Sequence, residues 1–86
     1  VGDELRHPAN VHVAYARWQE QQRQLPQARD SYRQALNHDP RSVEALLGLS
    51  RLDRLAGRTT EAERHLAQAE RLRPGDPLVA AAWGEH

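Results

Sequence analysis

Ala28, Ala35 and Pro40 recur 34 residues later as Ala62, Ala69 and Pro74. That spacing is the length of one helix–turn–helix unit, and a unit so short cannot bury its apolar face alone. It has to stack on a neighbour. The period therefore predicts an all-α chain of antiparallel hairpins arranged as a short solenoid.

The residues between the repeated positions agree. Ala, Leu, Arg, Gln and Glu fill most of the chain and are good helix formers, whereas β-branched residues are few. The breakers fall where helices should stop: Pro26, Pro40, Gly57 and the pair Pro74-Gly75. The spacing predicts helices over Ala9–Gln22, Pro26–Asn37, Val43–Ala56 and Thr60–Leu72, with a fifth beginning near Pro77. Pro8 suits a first turn, and Asp76 before Pro77 reads as an N-cap. Thr60 with Glu63 reads as a capping box. The first seven residues fit no complete element and read as the remnant of a preceding helix.

Apolar residues recur at three- and four-residue spacing on each helix. The first helix offers Val11, Tyr15 and Trp18, with Ala14 beside them, and the third offers Ala45, Leu49, Leu52 and Ala56 in the corresponding places. The second offers Ala28, Tyr32 and Ala35, and the fourth Ala62, Leu66 and Ala69. Ala16 facing Ala28 and Ala35 allows two backbones to approach closely. Ser50 with Ala62 and Ala69 repeats the device.

Composition narrows the functional classes. The 86 residues make one small domain, and twelve acidic residues balance twelve basic ones, all of them Arg. A neutral chain lacks the basic stripe of a nucleic-acid binder. With no Cys there is neither a disulfide nor a thiolate nucleophile, and the redox compartment stays open, a cytoplasmic location being the default. No apolar run approaches the roughly 20 residues that span a bilayer. The Ala, Arg and Gln bias fits a GC-rich, bacterial coding source. A start without Met and an end at Trp83-Gly84-Glu85-His86 read as a module of something longer.

At these positions the chain resembles the tetratricopeptide repeat family, whose unit carries Trp, Leu-Gly and Tyr, then Ala, an aromatic, Ala and Pro. Ala28, Tyr32, Ala35 and Pro40 match the second half once; Ala62, Leu66, Ala69 and Pro74 match it again, with Gly57 at the turn. Tyr15-Ala16 and Leu49-Ser50 stand for Leu-Gly. His12 and Leu46 replace the Trp, and Gln19 and Asp53 replace the Tyr, which is a departure. The resemblance implies about 2.3 repeats: residues 9–42, 43–76 and a partial third or capping helix at 77–86.

No catalytic constellation stands out. Ser31, Ser42 and Ser50 lack a His-and-acid arrangement that the sequence implies. The His residues at 7, 12, 38, 65 and 86 contain no i, i+4 pair to hold a metal, and His12 and His38 occupy packing positions. No cofactor, metal, nucleic acid or membrane insertion is expected. What the resemblance implies instead is a non-catalytic scaffold that binds a peptide or partner protein across a concave groove. Carried onto this sequence, the groove positions are Asn10, Val13, Arg17 and Glu20, then Glu44, Leu47, Arg51 and Arg54, then Leu78, Ala81 and Glu85. Arg17 and Arg51 should form a ladder one repeat apart, suited to an acidic or carboxylate-ended ligand, the alternative being arginines that only solubilise the helix or pair with a neighbour such as Glu20. A Lys-and-Asn carboxylate clamp is not expected, because Val13 and Gly48 fall where its polar groups belong. Two alternatives are weak self-association through the last helix and its Trp83, and a recruiting domain fused to an enzyme elsewhere in the parent chain.

Overall fold

A computed structural model describes residues 8–85, the side chain of Glu85 excepted. It contains five helices: α1 Pro8–Gln21, α2 Leu25–His38, α3 Val43–Leu55, α4 Thr59–Leu72 and α5 Pro77–Glu85. Each boundary lies within a residue or so of the one the punctuation predicts. The expectation for residues 1–7 lies outside the described residues. Hairpins α1–α2 and α3–α4 pack internally, α3 stacks on α2, and α5 covers part of α4.

The two hairpin turns are made alike. After α1, Gln24 N–H donates to the Gln19 carbonyl and Arg23 N–H to that of Glu20; after α3, Arg58 N–H donates to Asp53 and Gly57 N–H to Arg54. This double closure needs one residue in the left-handed region. Gly57 takes it at φ 80°, and Arg23, one repeat earlier, takes it at φ 62°. The other caps vary. Ser42 accepts from Ala45 N–H at 3.3 Å, and Asp76 from Leu78 N–H at 2.8 Å. The capping box does not form: α4 begins at Thr59, so Thr60 lies inside the first turn, and Arg58 at the N-cap makes no side-chain cap bond.

Two apolar clusters form the core. The first joins Ala9, Val13 and Ala16 of α1 with Ala28, Tyr32 and Ala35 of α2 and Ala45, Leu49 and Leu52 of α3. The second joins Val43 and Leu46, Ala69 and Val79, with Trp83 half-buried against them; Leu36 packs on both clusters. The small residues do let the helices approach, since Ala16, Ala28, Ala35, Ala62 and Ala69 are all buried. The apolar face of α1 is not the one expected. Val11, Tyr15 and Trp18 are exposed, and the buried face is Ala9, Val13, Ala16 and Gln19. The close α1–α2 crossing selects small residues, which leaves the large ones pointing outward.

Tyr32 sets the tightest contact. Its ring is fully buried and lies against Gly48 of α3, where a Cβ would overlap the ring atoms. Polar pairs bridge the same place in each hairpin. Ser31 Oγ donates to Gln19 Oε1 at 2.6 Å, and 34 residues on His65 Nδ1 lies 2.9 Å from Asp53 Oδ2. These pairs account for the departure from Tyr at positions 19 and 53. Asp53 is fully buried and also faces Arg29 of α2 at 3.4 Å, tying the second hairpin to the first.

Two substitutions test this packing. In an exposed helix Gly→Ala gains about 1 kcal/mol, but at Gly48 the overlap with Tyr32 should reverse the sign and cost roughly 1–3 kcal/mol. A lowered thermal midpoint for Gly48→Ala is the expected result. Arg23→Gly should raise it by a few degrees. Relief of roughly 1–2 kcal/mol of left-handed strain outweighs about 0.4–1 kcal/mol of added unfolded-state entropy.

Candidate functional site

One face of the solenoid carries a cleft of about 280 Å³. Arg17 enters from α1, Glu44, Leu47, Arg51 and Arg54 from α3, and Leu78 and Ala81 from α5, with Leu66 of α4 contributing to the lining. Successive first helices of the hairpins stack side by side, so positions 34 residues apart line one wall. Arg17 and Arg51 are such a pair.

Of the expected groove residues, seven line this cleft together: Arg17, Glu44, Leu47, Arg51, Arg54, Leu78 and Ala81. Asn10 is exposed near the start of α1 and does not line it. Glu20 is half-buried beside it. Val13 is a correction: it is buried in the core cluster that α3 closes with Ala45, Leu49 and Leu52. Its repeat partner Leu47 is half-buried against the second cluster and lines the cleft. The side chain of Glu85 lies outside the described residues.

The arginine ladder is unequal. Arg51 spends its fork inside the protein, with Nε donating to Glu20 Oε2 at 2.9 Å and Nη2 to Glu20 Oε1 at 2.6 Å. Arg51 Nη2 also donates to the Tyr32 hydroxyl at 3.2 Å, and that hydroxyl donates in turn to Glu20 Oε1. Burial works to raise the Glu20 carboxyl, but the bonds from Arg51 and Tyr32 and the charges of Arg51 and Arg17 outweigh it and hold it below its ordinary value. Burial and the adjacent Glu20 push the Tyr32 hydroxyl well up, so it stays protonated and donating. The Arg51 guanidinium is raised by its bonds to Glu20. Arg17 and Arg54 add positive charge to the cleft, and its acid, Glu44, lies 3.9 Å from Arg73.

Residues outside the cleft point to packing. His12 and His38 stack at 5.2 Å between ring centroids, joining α1 to α2. Among the described residues no group of three metal-ligating side chains assembles, and no helix is long and apolar enough to cross a membrane. Pairing of a ladder arginine with Glu20 is the expected alternative to ligand binding, and it forms at Arg51; the part of Tyr32 in it has no signal in the sequence.

The tetratricopeptide repeat family model matches residues 6–83. The chain belongs to the tetratricopeptide repeat family. Neither the curated proteins nor the solved structures compared with it contain a significant match. As a tetratricopeptide repeat domain the chain is a protein-interaction module, and domains of this family are typically non-catalytic scaffolds. The pairs Gln19–Ser31 and Asp53–His65 are this chain's own solution at a position where the tetratricopeptide unit carries Tyr.

The Glu20 network carries a pH signature. Because its folded-state value is depressed, the carboxylate stabilises the fold fully above the ordinary value of 4.5 and loses that contribution as pH falls through the lowered value. Glu20→Gln should therefore lower the thermal midpoint near pH 7. The gap from the unsubstituted protein should narrow by about pH 3. Paired melting curves at the two pH values read this directly.

Proposed function

We propose that the cleft is the ligand-binding groove of this module and that it takes an acidic segment of a partner protein, without catalysis. The observation that carries the reading is the convergence of Arg17, Arg51 and Arg54 with the apolar Leu47, Leu78 and Ala81 on one cleft. Arg17 and Arg54 supply the attracting field. Leu47 and Leu78 give apolar side chains of the segment a place to bury area, which a purely electrostatic contact lacks. Arg51 contributes charge, while its hydrogen-bonding fork is held by Glu20. The groove so described favours an extended segment with spaced acidic and leucine-like residues over a single terminal carboxylate.

The test uses a labelled decapeptide of alternating Asp, Glu and Leu, with a Lys-for-acid version as the control. Arg17→Ala with Arg54→Ala should weaken binding of the acidic peptide by more than about tenfold while leaving helicity intact, since neither side chain is in the core. Binding should also fall as salt rises, because exposed charges are screened over about 8–10 Å at physiological ionic strength. Equal affinity for the two peptides, or for the two proteins, would remove the groove from the account.

A further inference from the structure

We propose that Glu20 is the residue that sets the specificity of the cleft: its carboxylate fills the Arg51 fork from within and so excludes ligands that depend on that fork, those ending in a free carboxylate. The inference rests on the groove reading above and names what decides the ligand class there. The seat that Glu20 fills is built from the other two helices at this junction. Arg51 of α3 donates through Nε to Glu20 Oε2 at 2.9 Å and through Nη2 to Oε1 at 2.6 Å, and the Tyr32 hydroxyl of α2 donates to Oε1 as well. A carboxylate offers about four acceptor positions, so three are taken. Two parallel bonds from one guanidinium are the arrangement in which Arg recognises a carboxylate best. The Tyr32 ring is fully buried against Gly48, which makes its hydroxyl a fixed donor. The junction therefore holds a complete carboxylate seat, filled by a side chain of the protein itself.

That occupant limits what Arg51 can offer the cleft. Nε and Nη2 face Glu20, Nη2 also reaches the Tyr32 hydroxyl at 3.2 Å, and only Nη1 is left outside these bonds. An acid of a ligand can then meet Arg51 through a single bond. A terminal carboxylate, for which the fork is the best partner, loses most by this. Acidic side chains spread along a segment lose little, because the charges of Arg17 and Arg54 still attract them. The Arg51 side chain is 43% exposed and that of Glu20 16%, so the arginine stands on the open side of the pair. Removing the Glu20 side chain thus leaves a seat open to solvent, which an external carboxylate can enter. One repeat later the position of Glu20 is Arg54, so the device belongs to this junction and is not repeated along the wall.

The experiment uses the 86-residue chain and two readouts. The first is the thermal midpoint of Glu20→Ala near neutral pH in sodium acetate and in sodium chloride at equal ionic strength. Acetate should enter the vacated seat and raise the midpoint by about 3 °C or more at about 0.5 M. The unsubstituted protein, and Glu20→Ala combined with Arg51→Ala, should not distinguish the two salts. The second readout is binding of the acidic decapeptide with a free and with an amidated C-terminus. The unsubstituted protein should bind the two within about twofold, and Glu20→Ala should prefer the free carboxylate by about tenfold. Glu20→Gln keeps the side-chain volume, but its amide cannot accept at both positions of the fork. It should show a preference of about threefold, and it carries the test if Glu20→Ala does not fold. Equal midpoints of Glu20→Ala in the two salts overturn the proposal. So does a preference for the free C-terminus already present in the unsubstituted protein. Binding of both peptides with no preference in either variant removes this proposal alone, whereas binding of neither peptide by any of the proteins removes the groove reading and this proposal with it.

Discussion

The contact on which the rest depends is the Tyr32 ring laid against Gly48. It draws α3 onto α2 at a distance no other residue at position 48 permits. Seated there, Tyr32 sends its hydroxyl past α3 to Glu20 on α1, where Arg51 completes the network. One side chain thus touches three helices, with apolar contact at its body and a hydrogen bond at its tip. A buried Tyr needs such a partner for its hydroxyl. The stacking of the second hairpin on the first and the orientation of Arg51 in the cleft follow from the same placement.

Around that contact the two hairpins are unequal copies of one plan. Gln19 with Ser31 is a neutral pair, whereas Asp53 with His65 is an ionisable one, and Asp53 faces Arg29 of the preceding hairpin as well. The asymmetry has a physical origin. Gln19 and Ser31 are neutral, so their pair needs no counter-charge. Asp53 has α2 beside it and can be met by Arg29. Buried charge occurs where stacking supplies its counter-charge, in line with the cost of desolvating it. The left-handed turn residue shows the same inequality, Gly57 in one copy and Arg23 in the other.

Helix spans were legible because Pro and Gly stop helices through the backbone alone, and the Ala28/Ala62 period was legible because close crossings exclude large side chains. The buried face of α1 was not. Weighting apolar residues by size favours Val11, Tyr15 and Trp18 over Ala9, Val13 and Ala16, yet a close crossing rewards the smaller set. Val13 entered the expected groove for a related reason: its repeat partner Leu47 is in the cleft, whereas Val13 is closed over by Ala45, Leu49 and Leu52 of α3. The pairing of Arg51 with Glu20 spans 31 residues and depends on where Tyr32 sits. No local pattern encodes it. Seven cleft residues were nonetheless identifiable, because a stacked array places equivalent positions on one wall whatever their side chains.

That pairing also shapes how the cleft can recognise a ligand. A carboxylate seeking the Arg51 fork would have to displace Glu20, which already receives two bonds from Arg51 and one from Tyr32 and is held ionised by them. The exchange replaces an intramolecular charge-assisted pair with an intermolecular one and adds the entropy cost of association. It would also leave Glu20 half-buried and without its cation, so a bidentate grip at Arg51 is disfavoured. Recognition on the proposed reading therefore falls to the field of Arg17 and Arg54 and to apolar contact with Leu47 and Leu78. A field is weakly directional and apolar contact responds to spacing. Selectivity should accordingly reside in where a ligand places its apolar side chains, with its acidic residues setting the encounter rate.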